Sequence, residues 1–237
     1  MGEGAGNDAL IMPFISSANI ACGYHAGDED TIKKTVELAL KYNVAIGAHP
    51  GFEDKENFGR LEMHLPLEEV YDIVTKQIDI IKKVCAEFNT NLHHVKPHGA
   101  LYNMAAKDEA LAAAIAKAVK DADENLILYG LNNSFMITAA KEMNLKTANE
   151  VFADRRYNND GSLVSRKLPT ALIEGEEEML QQLLQMVLHN TVASVEGATI
   201  SLDAQTICIH GDGKNAARFA KKIYETLGDN NIFLRTI

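Results

Sequence analysis

Lys96 and His98 lie two residues apart where an apolar strand pattern gives way to a helix pattern. Pro97 ends the strand pattern, Gly99 permits a sharp turn, and Asp108 can cap the helix that follows. In parallel α/β proteins, functional groups gather where strands lead into helices. An ammonium group and an imidazole at this point would supply a permanent cation and a proton carrier. The alternative is a buried turn in which both side chains bond only to backbone carbonyl groups.

Polar side chains follow nearly every other strand pattern as well. His25 follows a run of small residues, and His49 follows the next apolar run along the chain. Two imidazoles at the ends of adjacent strands, joined by a carboxylate, would suit zinc or a similar ion. The alternative is that each is a hydrogen-bonded scaffold residue. The later strand patterns end in Asp154 and Arg155, and in His210 and Asp212.

The composition is that of an ordinary globular protein. The 237 residues are 46% hydrophobic and 24% charged, enough to form a large core without disulfides. The net charge of −10 argues against nucleic acid or an anionic membrane surface as a partner. The three cysteines are odd in number and far apart, so we predict reduced, buried thiols and a cytoplasmic protein. We find no signal-peptide pattern and no apolar run that would span a bilayer.

Six strand patterns, each followed by a helix pattern, favour a parallel sheet covered by helices. Polar residues at so many strand ends favour a closed barrel, because only there do all the ends surround one pocket. A strand before Gly2 would raise the count to seven. We also predict a long loop at 52–65 and a small hairpin at 192–202. The six strands are predicted at 17–23, 44–48, around 93–95, 126–129, 147–151 and 206–209.

Several of these stretches are long sequence motifs that resemble those of the LamB/YcsF family, to which the A subunit of bacterial 5-oxoprolinase belongs. The resemblance runs along the whole chain in order. It is carried by residues 16–28, 45–51, 95–103, 150–155 and 208–212.

The resemblance implies an α/β fold, an irregular seven-stranded TIM-like (β/α) barrel of the glycoside hydrolase/deacetylase type, as a single domain over residues 1–237. Family members usually begin with a strand that carries an aspartate into the pocket, just before the position of Gly2. We therefore expect the first strand to be truncated here. Glu3 lies where a pocket carboxylate would be expected, or else at a mobile end.

The implied activity is the ATP-dependent hydrolysis of 5-oxo-L-proline to L-glutamate, together with subunits B and C. A lactam is a stable amide, so its opening needs cations for oxyanion and phosphate charge, a base for water and an acid for nitrogen. We expect Lys96 to supply the cation and His98, His210 and Asp212 to move protons. For Asp212 the alternative is a plain N-cap of the last helix.

We expect the substrate to be bound by Arg155, whose guanidinium can hold a carboxylate or phosphate through two hydrogen bonds. The alternative for Arg155 is an ion pair with Glu150 or Asp154. His25 and His49 remain candidates for a divalent metal, whereas His93 and His94 are interpreted as unremarkable residues at the far end of a strand. The full set expected to bind substrate is Arg155, Asp154, Tyr102 and Asn19.

Two other functions remain open. The chain could be a stand-alone metal-dependent deacetylase or carbohydrate hydrolase, or a non-catalytic subunit that binds 5-oxoproline. The sequence contains no phosphate-binding motif of the Gly-x-x-x-x-Gly-Lys-Ser/Thr type. Whether ATP binds to this chain or to a partner is left open.

Overall fold

The computed structural model describes residues 1–237, and a curled parallel sheet of six strands forms its centre. Two further strands, β6 (Thr191–Ala193) and β7 (Thr199–Ser201), form the predicted hairpin beside it. The strands of the main sheet, in spatial order, are β1 (Ser17–Ala21), β2 (Ala45–His49), β3 (His94–Val95), β4 (Ile127–Leu131), β5 (Lys146–Phe152) and β8 (Thr206–Cys208).

Helices connect the strands and cover the outside of the sheet. Asp108 accepts a hydrogen bond from the Leu111 amide at 3.0 Å, so the predicted cap is confirmed, and Asp28 caps α2 in the same way with a bond of 2.8 Å from the Thr31 amide. None of the helices combines the length and the apolar composition needed to cross a bilayer. They are α1 (Asp8–Ile11), α2 (Glu29–Lys41), α3 (Leu67–Glu87), α4 (Gly99–Ala105), α5 (Glu109–Ala122), α6 (Phe135–Glu142), α7 (Glu176–His189) and α8 (Ala216–Asp229).

The two faces of the sheet have different chemistry, because side chains alternate along a strand. The outer face carries Ile20, Ile46 and Val95, which pack under the helices in a cluster of 43 buried hydrophobic residues. The inner face carries polar and ionisable side chains instead. His49 and Lys96 therefore point into the barrel while their neighbours along the strand build the core.

Strands β1 and β8 form the two edges of the curled sheet. Met1 lies beside β1: its ammonium group donates to the Asn19 carbonyl at 2.9 Å, and the Ala21 amide donates to the Met1 carbonyl at 3.0 Å. The predicted TIM-like arrangement is confirmed, but the main sheet has six strands and is not closed, because β1 and β8 do not pair with each other. The seventh strand we expected would precede Met1, outside this sequence.

The loop between β2 and α3 is long, as predicted, and it folds back over the ends of the strands. Phe58 and Gly59 both have left-handed backbone conformations, with φ of 58° and 64°. The Gly59 carbonyl accepts a hydrogen bond from the Ala100 amide at 2.9 Å. An added Cβ on Gly99 would lie 2.4 Å from that carbonyl, so this close approach requires glycine.

Candidate active site

A cavity of about 1640 Å³ opens at the carboxyl ends of the strands and continues along the inner face of the sheet. Two groups of buried polar side chains lie against it, and all of their members except His25 line it. We call Glu3, His25, His49 and His98 the histidine cluster, and Lys96, Glu150, Tyr102 and Cys208 the lysine–glutamate cluster. The turn that contains Pro97 connects them, since Lys96 and His98 flank it.

The histidine cluster brings together residues from the ends of β1, β2 and β3 and from the start of the chain. His25 stacks on His98 with ring centroids 3.8 Å apart, and its Nε2 lies 3.3 Å from Glu3 Oε1. His49 meets the edge of His98, with Nε2 of His49 3.0 Å from Nδ1 of His98. All three rings are buried.

Hydrogen bonds fix the tautomers of two of these rings. Nδ1 of His49 lies 2.6 Å from the Lys96 carbonyl oxygen, and Nε2 of His98 lies 2.8 Å from the Phe58 carbonyl oxygen. A carbonyl oxygen only accepts, so each of these nitrogens carries a proton. In neutral rings, the nitrogens that face each other at 3.0 Å are therefore both acceptors. Two lone pairs at this distance repel unless a cation lies with them.

The buried setting keeps the rings of His49 and His98 neutral. Burial, reinforced by the charge of neighbouring groups, holds the pKa of His49 well below its ordinary value. Burial and the proximity of His25 lower the pKa of His98 to about 3. Burial would raise the pKa of Glu3, but the Met1 ammonium group and the His25 hydrogen bond outweigh it, so the carboxylate stays ionised. A shared proton is thus disfavoured, whereas a metal ion needs these deprotonated donors.

The donor set fits a divalent metal ion. One ligand atom each from Glu3, His49 and His98 lies within 4.8 Å of the others. Two imidazole nitrogens and a carboxylate are a typical zinc set, and a backbone carbonyl behind each ring is the usual way of orienting it. We predicted His25 as the second histidine, but His98 and Glu3 lie beside His49 instead. His25 packs behind them, and its Nδ1 is buried without a hydrogen-bond partner.

The lysine–glutamate cluster lies deeper, between β3, β5 and β8. The Lys96 ammonium group lies 2.7 Å from Glu150 Oε1, and the Tyr102 hydroxyl donates to Glu150 Oε2 at 2.7 Å. Burial alone would lower the pKa of Lys96, but the Glu150 carboxylate raises it, so the side chain stays charged. Burial raises the pKa of Cys208 to about 12, so this residue is a neutral thiol and Glu150 is the counter-ion.

Asp154 and His210 form a pair at the rim of the cavity. Nδ1 of His210 lies 2.9 Å from Asp154 Oδ2, and the His210 amide donates to the same oxygen at 3.0 Å. Burial would raise the pKa of Asp154, but His210 lowers it to about 2, so the carboxylate accepts the Nδ1 proton. Nε2 of His210 is left as the basic atom, as in other carboxylate–imidazole pairs.

Asp212 forms an ion pair with Arg60, which belongs to the loop after β2. The N-cap of α8 is Asn215, so Asp212 is not the helix cap that we kept as an alternative. This pair joins two loops across the cavity mouth. The pKa of Asp212 is lowered, since the Arg60 hydrogen bond outweighs burial.

Arg155 is not placed as we predicted. Its guanidinium donates to the Val164 carbonyl at 2.6 Å and to the Ala171 carbonyl at 3.4 Å, and it pairs with neither Glu150 nor Asp154. Burial and the nearby Arg166 lower its pKa to about 10. Its donors therefore hold the backbone of the following loop.

The other sequence-predicted residues divide between the two clusters and the barrel interior. Tyr102 bonds Glu150, and Oδ1 of Asn19 lies 3.0 Å from Nε2 of His94 inside the barrel. His94 is fully buried and stacks on Tyr129, so it fills the barrel interior. Sequence reasoning gave no functional role to Glu150. The alternation of side chains along β5 could have identified it. Glu150 is the sole acidic residue of that strand, and it lies on the same face as Ala148 and Phe152, which are two positions away.

Comparison with known proteins agrees with this architecture. The model of the LamB/YcsF family matches residues 1–237. The A subunit of 5-oxoprolinase from Tolumonas auensis is 54% identical over 94% of this chain and 88% of its own length. The one from Bacillus cereus is 51% identical over 98% of this chain and 92% of its own length. The crystal structure of a lactam utilization protein from Thermus thermophilus superposes with a TM-score of 0.92 at 40% identity, over 100% of this chain and 96% of that one. The chain belongs to the LamB/YcsF family.

Proposed function

We propose that this chain is the A subunit of a 5-oxoprolinase, a hydrolase that opens the cyclic amide of 5-oxo-L-proline to L-glutamate with ATP, together with subunits B and C. The supporting observation is that one cavity holds a charged lysine, a carboxylate-bound histidine and the neutral imidazoles of His49 and His98. This cavity lies in a chain about half identical to proteins named as A subunits of 5-oxoprolinase.

The chemistry begins with the γ-phosphoryl group of ATP passing to the amide oxygen, which makes the ring carbon electrophilic. Water then adds to that carbon and loses a proton. The C–N bond breaks, the nitrogen takes up a proton, and the resulting acyl phosphate is hydrolysed by a second water. The products are glutamate, ADP and phosphate.

Residues on the inner face of the sheet could supply the cation and the base that these steps require. The Lys96 ammonium group, kept protonated by Glu150, would stabilise charge on the amide oxygen or on the phosphoryl group. Nε2 of His210, oriented by Asp154, would accept the proton of the attacking water. Tyr102 is already a donor to Glu150, so it acts by holding that carboxylate in place.

Glu3, His49 and His98 would hold a divalent metal ion. When bound, such an ion polarises a carbonyl oxygen or lowers the pKa of a water molecule. In this arrangement His98 is a ligand, and its Nε2–H bond to Phe58 fixes the loop over the site.

The test is the release of glutamate from 5-oxo-L-proline by the purified chain, alone and after assembly with its partner subunits, with and without ATP. We expect release only from the assembled complex with ATP. Release by the complex that does not depend on ATP would contradict the proposal.

A stand-alone metal-dependent hydrolase is the second candidate, and the facing acceptor nitrogens of His49 and His98 favour it. It differs in two outcomes: the chain alone would hydrolyse an amide or acetyl group without ATP, and a chelator would abolish that activity. A chain that only binds 5-oxoproline would leave glutamate release intact when Lys96 or His210 is replaced.

A further inference from the structure

Four arginines line the cavity: two of them are already engaged, and a third, Arg235, is exposed near the end of the chain. Arg60 is paired with Asp212, and Arg155 donates to two backbone carbonyls. Arg166 also lines the cavity and is half-buried, but its guanidinium makes no hydrogen bond and no ion pair within the chain. Five N–H donors thus face the cavity without an acceptor from the protein.

The loop that carries Arg166 is held at both ends. The buried Arg155 side chain binds the Val164 carbonyl before it and the Ala171 carbonyl after it. The Arg156 backbone repeats the pattern: its amide donates to Ala171 at 3.1 Å, and its carbonyl accepts from the Val164 amide at 3.0 Å. Arg155 is therefore a positioning residue for the loop between these anchors, Arg166 included.

The charge of Arg166 is not compensated where it lies. Burial, and then the positive charge of Arg60, lower its pKa, while the two carboxylates that act against this shift, Asp212 and Asp154, already bind Arg60 and His210. A partly desolvated guanidinium beside another one is stabilised by an anion that binds from the cavity.

We infer that Arg166 is the anion receptor of this cavity and that it binds two oxygens of a carboxylate or phosphoryl group side by side. The inference rests on the proposed function for the identity of the anion, which would be the 5-oxoproline carboxylate or a phosphoryl group from ATP. The role we predicted for Arg155 from the sequence thus passes to Arg166.

The test compares Arg166→Gln and Arg166→Lys with Lys167→Gln, which removes the neighbouring, exposed cation. Isothermal titration of the chain would use 5-oxo-L-proline and 2-pyrrolidinone, the same ring without the carboxylate. If the carboxylate is the anion, Arg166→Gln weakens 5-oxo-L-proline binding by about 10- to 100-fold and leaves 2-pyrrolidinone binding unchanged. The affinity of Arg166→Lys for 5-oxo-L-proline should lie between those of the wild type and Arg166→Gln, because lysine offers a point charge without the planar pair of donors.

If a phosphoryl group is the anion, the titration with 5-oxo-L-proline is unchanged and the KM for ATP of the assembled complex rises about 10-fold or more. The inference is overturned if neither quantity changes, or if Lys167→Gln has the same effect as Arg166→Gln. Absence of glutamate release by the wild-type complex would instead refute the proposed function, and the titrations would still decide whether Arg166 binds the carboxylate.

Discussion

The histidine cluster and the lysine–glutamate cluster lie on the same inner face, yet they satisfy their polar atoms differently. In the lysine–glutamate cluster, the Glu150 carboxylate pairs with the Lys96 ammonium group and accepts from the Tyr102 hydroxyl, each at 2.7 Å. In the first, the nitrogens of His49 and His98 that face each other are both acceptors, and Nδ1 of His25 has no partner. One cluster is complete within the chain, whereas the other calls for a cation from outside it.

Among the substitutions that test this difference, we expect the replacement of Lys96 to lower the free energy of unfolding most. Lys96→Met leaves the Glu150 carboxylate buried without its counter-ion, which typically costs about 3–5 kcal/mol of unfolding free energy. The double variant Lys96→Met/Glu150→Gln should be destabilised much less than Lys96→Met. Urea unfolding measures both.

Lys33→Met is the matched control, because Lys33 pairs with Glu29 and Glu87 on the surface. It should cost about 1 kcal/mol or less. Equal losses for Lys96→Met and Lys33→Met would show that the buried cluster is not internally compensated.

The histidine cluster should respond instead to added metal. Zn²⁺, Co²⁺ or Mn²⁺ at about 100 times its dissociation constant should raise the unfolding free energy by about 2.7 kcal/mol. His49→Gln and His98→Gln should abolish this gain. His189→Gln, at an exposed histidine at the end of α7, should keep it. A gain that survives both cluster variants would place the metal elsewhere.

Gly59→Ala sharpens the comparison, since its added Cβ would lie 2.8 Å from His25 Cβ and 2.9 Å from His98 Cδ2. We expect a loss of about 1–3 kcal/mol from crowding and backbone strain. Gly197→Ala isolates the strain, because Gly197 also has a positive φ but nothing lies within 4 Å of an added Cβ. Equal losses in urea unfolding would mean that the loop does not press on the histidines.

An effect that depends on pH concerns the Asp154–His210 pair. The folded-state pKa of Asp154, about 2, lies below the ordinary 3.8, so its contribution is present above pH 3.8 and is lost as the pH falls toward 2. Asp154→Asn should cost roughly 2 kcal/mol at pH 7. The difference between variant and wild type should shrink as the pH falls from about 4 to about 2, as followed by thermal unfolding. A constant difference over that range would contradict the ionised pair.

The sequence predicted the elements better than the side-chain partners. Short apolar runs located the strands of the main sheet, which are buried, and helical periodicity located the long helices, which bury one face. The short helix α4, which begins at Gly99, was missed because its seven residues carry no clear periodicity. Lys96 was recognised as important, but not its pairing with Glu150. That contact joins β3 to β5 and depends on the curl of the sheet, which no local pattern records.

The placement of Arg155 failed for a related reason. A guanidinium after a strand suggests an anion site, and only the folded loop shows that Nε and Nη2 of Arg155 donate to the carbonyls of Ala171 and Val164. Arg166 carries no motif at all. That its guanidinium has no bonding partner becomes apparent only when the fold places it in the cavity.

The measurement that tests the account most directly is the rate of glutamate release by the assembled complex when the inner face of this chain is altered. We expect Glu150→Gln and His210→Gln each to lower kcat by about 100-fold or more, since they remove the counter-ion of Lys96 and the proposed base. Lys33→Met should leave the rate unchanged. If both cavity variants keep rates close to that of the wild type, the chemistry takes place on another chain of the complex, and the central claim is wrong.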